Sequence, residues 1–381
     1  KPGAFLATAA RSAARKLSIR GMASAVAGAS EYRAVDVHTH CYLPRYMQLL
    51  RDRREVPRVV DVEGQSRLII LPGEDEDVST SSGRPIGREY YDMSSKLSFM
   101  DRHGIEVSVL SLANPWIDFL SAEEAVPMAK ELNDEMQSIC EDSGGRLYGF
   151  GVLPVQDPEA SAAELERLAG MSKMRGVILG TAGCGQGLDD PALDPVWRAC
   201  EAHGQMVFVH PHYGVGREHY HGTGHALFLA LGFPFETTVA VSRLILSGAM
   251  DRFPDLRLLL AHSGGTLPFL AGRLDSCVKH DQEMADKLKH PPSHYLKRMY
   301  YDSIQYQTPS LACVQQLVGQ ERLMFGTDHP FFPPPGGKDL ETHVWPSTEE
   351  NLHILGRHFG DAEEAAVLRE NAYRILNITP P

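Results

Sequence analysis

The sequence predicts an α/β fold in which eight parallel strands alternate with helices and close into a (β/α)8 TIM barrel. Three observations support this fold class. Eight short apolar runs rich in β-branched residues occur between residues 34 and 328. Helix-length segments separate most of them, as in consecutive βαβ units. The runs are almost continuously apolar, which is typical of strands buried on both faces of a parallel barrel.

The predicted elements follow one another in the order that a barrel requires. The strands are Ala34–His38, Glu106–Leu110, Leu147–Leu153, Gly176–Leu179, Met206–His210, Leu256–His262, Met299–Ser303 and Leu323–Asp328. The helices between them are Ser94–His103, Ala122–Asp142, Asp157–Met171, Asp194–His203, Thr237–Asp251, Leu267–His280 and Pro309–Gly319. A last helical stretch, Thr348–Asn377, is expected to pack outside the barrel as a C-terminal extension.

Two long segments interrupt this alternation. Cys41–Tyr91 is an insertion after strand one, rich in Pro, Gly, Ser and Asp, and Pro330–Pro346 follows strand eight. Both leave the carboxyl ends of strands, the face on which barrel enzymes build their active sites. Loops of this length in a compact domain usually carry function. Because we find no repeat and no linker, we expect residues 31–381 to form a single domain.

The composition excludes several classes of protein. A net charge of −12 argues against nucleic acid and anionic membranes as partners, although a small anionic substrate remains compatible with it. The six cysteines form no CxxC pair, so neither a disulfide framework nor a thiolate zinc site is indicated, and a reducing compartment is expected. No stretch approaches about 18 uninterrupted apolar residues, so no membrane span is expected.

Residues 1–30 form an N-terminal extension of different composition. Lys1–Gly21 carries five Lys or Arg and no acidic residue, together with many Ala and Ser. This composition is typical of an organelle presequence. The alternative is a segment upstream of a natural start at Met22. We therefore expect a cytoplasmic protein, or a mitochondrial one if residues 1–21 are a genuine presequence.

Polar residues with metal-binding chemistry stand at the ends of four predicted strands. His38 and His40 end strand one, and residues two apart on a strand face the same side. His210, His262 and Asp328 end strands five, six and eight. Imidazoles and one carboxylate suit zinc, with manganese or iron possible, and three His with one Asp leave room for water or substrate. We expect a catalytic metal at the barrel mouth and no organic cofactor.

Longer motifs connect these residues with a known family. They are Ser111–Trp116, Gly232–Thr238 (GFPFETT), His262–Arg273 (HSGGTLPFLAGR) and Phe325–Pro334 (FGTDHPFFPP). With these motifs the sequence resembles the decarboxylase branch of the amidohydrolase superfamily. That branch includes aminocarboxymuconate-semialdehyde decarboxylase and the resorcylate decarboxylases, and the isoorotate (uracil-5-carboxylate) decarboxylases are the most similar. The resemblance covers roughly residues 33–335.

The resemblance assigns roles residue by residue. His38, His40, His210 and Asp328 match the metal ligands, and His262 matches a histidine that hydrogen-bonds near the metal. Substrate-binding positions correspond to Arg84, Asn114 and Phe331. Arg273 matches an arginine that reaches into the neighbouring subunit's site, so the resemblance implies a homodimer or a dimer of dimers.

One common feature of the superfamily is missing. Hydrolases with two metals usually bridge them with a carboxylated lysine at the end of strand four. Here that strand, within Arg175–Thr181, has no lysine at its carboxyl end. A single metal ion is therefore expected. Other histidines near these motifs are expected to lie beside the site or on the surface without binding metal: His212, His219, His221, His225 and His329.

The function expected from these features is non-oxidative decarboxylation of a planar ring carboxylate, most simply uracil-5-carboxylate to uracil and CO2. Asp328, assisted by His262, or a water on the metal would deliver the proton to the ring carbon. Aminocarboxymuconate semialdehyde or a hydroxybenzoate are alternative substrates. The runner-up reaction is metal-dependent hydrolysis of a lactone or cyclic amide. A barrel that only binds or scaffolds is a third alternative.

Overall fold

The computed structural model describes residues 33–335 and 343–380. Its centre is an eight-stranded parallel sheet in the order β1-β5-β6-β7-β8-β9-β10-β11. The strands of this sheet are β1 (Ala34–Cys41), β5 (Ile105–Leu112), β6 (Leu147–Gly151), β7 (Met174–Gly180), β8 (Met206–His210), β9 (Arg257–Leu260), β10 (Tyr300–Asp302) and β11 (Leu323–Met324). The predicted (β/α)8 barrel is confirmed.

Backbone hydrogen bonds between β1 and the chain after β11 close the barrel. Val37 N donates to Phe325 O at 3.0 Å, Asp328 N donates to His38 O at 2.8 Å, and His40 N donates to His329 O at 2.7 Å. The buried Asp36 carboxylate strengthens the seam by accepting from the hydroxyl of Thr327 at 2.7 Å and from its N–H at 3.1 Å. Closure therefore places Asp328 beside the histidines of β1.

Helices surround the barrel. They are α1 (Pro44–Asp52), α2 (Met93–His103), α3 (Ala122–Asp142), α4 (Pro158–Ala169), α5 (Asp194–Ala202), α6 (Phe233–Leu246), α7 (Ala249–Arg252), α8 (Leu267–Lys279), α9 (Gln282–Lys287), α10 (Pro292–Leu296), α11 (Thr308–Val318), α12 (Pro346–His358), α13 (Asp361–Ala365) and α14 (Asn371–Ile375). Local sequence explains several boundaries. Ser121 and Glu124 form a reciprocal capping box at the start of α3, and Gly104 ends α2 in the left-handed conformation.

The insertion after strand one is more ordered than the predicted loop Cys41–Tyr91. It contains α1 and a small antiparallel sheet of β2 (Arg58–Val62), β3 (Gln65–Ile69) and β4 (Arg84–Pro85). The prediction missed this sheet because its strands are short and partly exposed, and because β4 follows a long turn-rich stretch. The sheet brings Arg84 beside Leu68 and towards the barrel mouth.

Other element boundaries also differ from the prediction. Strands six and eight end earlier than Leu256–His262 and Leu323–Asp328, because the chain turns into irregular backbone before its functional residue. The last helical stretch is broken at Phe359–Gly360 and contains a π-helical turn, Ala366–Glu370. That turn packs on the closing seam, where Phe325 N donates to Val367 O at 3.0 Å. The predictions for residues 1–30 and for part of Pro330–Pro346 fall outside the described residues.

One helical run, Phe228–Leu246, is long and apolar enough to cross a membrane by length and composition. It comprises a π-helical turn, Phe228–Gly232, and α6, the barrel helix after β8. Val241, Leu244 and Ile245 are completely buried. Core helices of soluble proteins pass the same test, so this single run is weak evidence for a membrane span.

Asn133 on α3 provides a test of how the helices hold the strand ends. Its buried amide donates to Val152 O at 2.9 Å and accepts from Val152 N at 2.8 Å, just beyond β6. Asn133→Ala leaves both backbone groups without these partners. We expect the free energy of unfolding to fall by about 2–4 kcal/mol, measured by urea or thermal unfolding. The neighbouring surface change Asp134→Ala should cost less than about 1 kcal/mol. Equal losses in both variants would contradict this role for Asn133.

Candidate metal centre

Four predicted ligands converge at the carboxyl end of the barrel. His38 and His40 lie two residues apart on β1, and His210 is the last residue of β8. Asp328 follows β11 with a left-handed φ of 59°, which turns its side chain out of the strand path. One ligand atom from each of the four residues lies within 4.8 Å of the others, and all four residues are buried.

The hydrogen bonds of the three imidazoles orient them as metal ligands. Nδ1 of His38 donates to Asp302 at 2.6 Å, and Nδ1 of His210 donates to Pro211 O at 2.8 Å. Nδ1 of His40 lies 2.9 Å from Ser111 Oγ, whose own proton goes to the Thr39 carbonyl. Each Nε2 is thus left with a lone pair. His210 Nε2 is buried and has no hydrogen-bond partner among the described residues, which suits a metal ligand.

The electrostatics of the cluster also suit a cation. Burial lowers the pKa of His40 to about 4 and that of His210 well below its ordinary value, so both rings are neutral near pH 7. Burial also lowers the pKa of His38, but hydrogen bonds and charges from Asp302 and Asp328 outweigh it and raise this pKa to about 10. Without a cation, the two carboxylates therefore hold a proton on His38. A divalent ion would replace that proton.

Asp302, at the end of β10, connects the ligands with His262. Its Oδ2 accepts from His38 Nδ1 and from the backbone N–H of His262 at 2.8 Å, and its Oδ1 accepts from Ser263 N at 2.7 Å. His262 and Ser263 both have a left-handed φ of 52°, a strained conformation for residues other than glycine. The carboxylate stabilises this turn, which brings His262 Nε2 to 3.7 Å from Asp328 Oδ2.

A cavity of about 490 Å³ opens beside the four ligands. Its lining combines polar groups with large apolar side chains, including Leu71, Leu229 and Phe233. The predicted substrate residues Arg84, Asn114 and Phe331 line the same cavity, together with His210, His262 and Asp328. A mostly apolar cavity with a few convergent polar groups is typical of a site for a small ligand.

The three predicted substrate residues offer different contacts. The Arg84 guanidinium carbon lies 5.4 Å from the centre of the Phe331 ring, and Phe331 packs edge-on against His40 at 5.6 Å. The Asn114 amide nitrogen lies 2.8 Å from Nδ1 of the buried His212, so it donates to that ring. Its amide oxygen has no hydrogen-bond partner among the described residues. The cavity thus has a cationic donor, a free acceptor and an aromatic face.

Arg273 does not line this cavity. It lies exposed on α8 and lines a groove with residues of α6 and α8, among them Thr238, Leu270 and Cys277. Of the remaining histidines, His212 and His329 are buried close to the centre, while His219 and His221 are exposed. His225 also lines the cavity and donates to Glu74 at 2.7 Å. The metal-ligand cluster contains none of these five.

Sequence reasoning missed several residues of the site. Asp302 is the last residue but one of the predicted strand Met299–Ser303 and the last residue of β10, so the rule that found the ligands could have found it too. Tyr306, whose φ is 56°, lines the cavity and has no signal in a single sequence. Phe233 also lines it and belongs to the motif Gly232–Thr238, but it was not assigned a role. Glu74 lies in the turn-rich insertion, where no periodic pattern indicates that it is buried.

Comparison with known proteins defines the class to which this site belongs. The chain belongs to the amidohydrolase family, whose model matches residues 35–378. Within it, the chain is a metal-dependent decarboxylase, since its relatives are named decarboxylases and its four candidate ligands converge. The 2-amino-3-carboxymuconate-6-semialdehyde decarboxylase of Dictyostelium discoideum is 28% identical over 300 residues, covering 78% of this chain and 80% of the relative.

Two further relatives support the same assignment. The gamma-resorcylate decarboxylase of Rhodococcus jostii is 30% identical over 258 residues, covering 62% of this chain and 76% of the relative. The crystal structure of the Metarhizium anisopliae IDCase superposes with a TM-score of 0.87 at 41% identity, covering 91% of this chain and 98% of that one. The predicted decarboxylase branch and the predicted carboxy-lyase class are therefore confirmed.

Asp302 is expected to control metal affinity although it does not bind the metal. In Asp302→Asn, an NH2 group replaces one carboxylate oxygen. This group cannot accept hydrogen bonds from the N–H groups that face it. We expect metal affinity about 10–100-fold lower, measured by competition with a chelator. His38→Ala should lose the ion outright. The control Asp118→Asn changes a partly buried carboxylate outside the cluster and should keep the ion. Wild-type affinity in Asp302→Asn would show that orientation of His38 does not matter.

Proposed function

We propose that the protein decarboxylates uracil-5-carboxylate (isoorotate) to uracil and CO2 without an oxidant. The observation that carries the proposal is the single cavity that joins the metal centre to Arg84, Asn114 and the Phe331 ring. The resemblance of the motifs to isoorotate decarboxylases and the 41% identity to the M. anisopliae IDCase support the same substrate.

Asn114 offers the ring a hydrogen-bond acceptor. Because its amide nitrogen donates to His212, its amide oxygen is left as an acceptor. The ring N–H groups of uracil can donate to this oxygen. Arg84 can donate to a ring carbonyl, and the face of Phe331 can cover a flat ring. These contacts would fix the ring plane relative to the metal ligands.

A divalent ion held by His38, His40, His210 and Asp328 would polarise the ring oxygen and the neighbouring carboxylate as a Lewis acid. Of the metals that suit three imidazoles and a carboxylate, we propose zinc, with manganese as the alternative. The proton that replaces CO2 must reach the ring carbon that carries the carboxylate. Asp328 Oδ2 and His262 Nε2, which lie 3.7 Å apart, would pass it there. Protonation interrupts ring conjugation, and departure of CO2 restores it.

The first test is the reaction itself. We expect the zinc-loaded protein to release CO2 and uracil from uracil-5-carboxylate, detected by a coupled bicarbonate assay and by chromatography. Arg84→Ala should raise KM by about 30–150-fold, because it loses a charge-assisted hydrogen bond worth about 2–3 kcal/mol. Arg88→Ala, a nearby surface change in the insertion, serves as the control. Consumption of a hydroxybenzoate or of aminocarboxymuconate semialdehyde, with uracil-5-carboxylate untouched, would refute the substrate assignment and keep the reaction class.

We also propose that the protein works as a homodimer in which Arg273 of one copy completes the site of the other. Arg273 is exposed on α8, and no ion pair with it is present among the described residues. Phe269, one turn earlier on the same helix, is 81% exposed, which is unusual for so large an apolar side chain. Phe235 and Val239 on the neighbouring α6 are also exposed. A second copy on this surface would cover these side chains.

Mixing two inactive variants tests whether the sites are shared. Arg273→Ala and His38→Ala should each be inactive as pure proteins. A mixed dimer contains one site in which both groups are intact, so about a quarter of the wild-type activity is expected if the subunits exchange at random. Size-exclusion chromatography with light scattering should show the dimer, and mass spectrometry of differently tagged subunits should show the exchange. A mixed dimer that stays inactive would exclude Arg273 from the partner's site.

A further inference from the structure

Glu74 is a buried carboxylate behind two residues that line the cavity, Arg84 and His225, and none of the roles above uses it. Its side chain is 1% exposed. Oε2 accepts from the backbone N–H groups of Ile70 and Leu71, each at 2.8 Å, and Oε1 accepts from His225 Nε2 at 2.7 Å. Oε1 also lies 4.0 Å from Arg84 Nε. Glu74 thus connects Arg84 on β4 with His225, in the loop after β8.

The carboxylate remains ionised although it is buried. Burial raises the pKa of Glu74, but the hydrogen bond from His225, the charge of Arg84 and the two backbone donors together lower it below its ordinary value. Within the described residues, Arg84 has no other acidic partner. The positive charge of Arg84 is therefore compensated inside the protein, while its terminal nitrogens, which make no hydrogen bond to described residues, remain donors.

This compensation determines which charge the cavity accepts. A divalent ion would balance the two carboxylates of the metal centre, Asp302 and Asp328. Arg84 with Glu74 adds no net charge. A substrate carboxylate beside the metal can bind the ion directly, whereas a second carboxylate near Arg84 would meet the charge of Glu74 as well.

We propose that Glu74 is a specificity-determining residue that restricts the site to ring monocarboxylates, by making Arg84 a hydrogen-bond donor to neutral oxygens instead of a counter-ion. The inference rests on the proposed function only in that the substrate is a ring carboxylate. It favours uracil-5-carboxylate over a dicarboxylate such as aminocarboxymuconate semialdehyde. It also explains why Arg84 pairs with Glu74, a residue outside the metal centre.

The test compares two pairs of inhibitors. The two compounds of a pair differ by one charge and have the same shape. Salicylates carry a ring oxygen beside a carboxylate, the pair expected at the metal. 5-Carboxysalicylate is a dianion near pH 7.5, and 5-carbamoylsalicylate is its monoanionic isostere. The second pair, 4-carboxysalicylate and 4-carbamoylsalicylate, carries the second group at a different ring position. We expect the zinc-loaded protein to bind each dianion at least about tenfold more weakly than its carbamoyl isostere, measured by isothermal titration calorimetry.

Glu74→Gln should reduce that preference about tenfold or more, because it removes the charge and keeps the shape. The glutamine oxygen can still accept from Ile70 N and Leu71 N, and the amide nitrogen can donate to a bare His225 Nε2. Asp77→Asn is the matched control. Asp77 joins the same insertion to the same loop by accepting from Gly222 N at 2.8 Å, but its ion-pair partner is His221 and not Arg84. This control should leave the preference unchanged.

Each outcome decides the proposal. Equal or tighter binding of the dianions by the wild-type protein overturns it, and so does an unchanged preference in folded Glu74→Gln. An equal effect in Asp77→Asn would assign the preference to loop geometry and also overturn it. If Glu74→Gln does not fold, Arg84→Gln is tested in its place. This variant must increase the preference for the carbamoyl isosteres, because the charge of Glu74 is then no longer balanced by Arg84. None of the four inhibitors needs to react, so a protein that fails to decarboxylate uracil-5-carboxylate can still be tested in this way.

Discussion

The Asp302 carboxylate is the group on which the active end of the barrel depends. It holds the ring of His38 and the strained backbone of His262 and Ser263, so one side chain orients a metal ligand and the histidine beside the metal. A fully buried carboxylate is unfavourable unless its oxygens are satisfied. Here Ile304 N donates as well, at 3.1 Å, so four donors surround it. The stability of this end of the barrel and the geometry of the metal centre therefore share one set of hydrogen bonds.

Sequence reasoning succeeded where chemistry coincides with strand ends. The metal ligands on β1 and β8, and Asp328 after β11, could be predicted because apolar runs locate the strands. The carboxyl ends of parallel strands in a barrel all lie at the same end of it. Asp302 follows the same rule, since it ends β10, but it was not among the predicted site residues. Exact strand ends could not be predicted, since the chain leaves the sheet through left-handed residues such as His262 and Asp328, which no periodic pattern reveals.

The insertion shows where the pattern carries no information. β2 and β3 pair through backbone hydrogen bonds that require no alternation of apolar residues, and their exposed positions resemble loop composition. Arg84 could be assigned only through the resemblance to relatives. The burial of Glu74 arises from contacts with Ile70 and Leu71 and from His225, about 150 residues away along the chain. Such long-range contacts are a property of the folded chain and not of any local segment.

The buried charges of the site fall into two groups with different consequences. Asp302, Asp328 and the three imidazoles leave a deficit of positive charge, which the raised pKa of His38 reports and a divalent ion would fill. Glu74 and Arg84 compensate each other and leave no deficit. The first group therefore selects a cation, and through it the carboxylate of the substrate. The second group adds hydrogen-bond donors without adding charge, so recognition of the rest of the ring depends on its neutral oxygen and nitrogen atoms. In the reaction proposed above, a site divided in this way would release the neutral ring once CO2 has left, because no uncompensated cation would hold the product at Arg84.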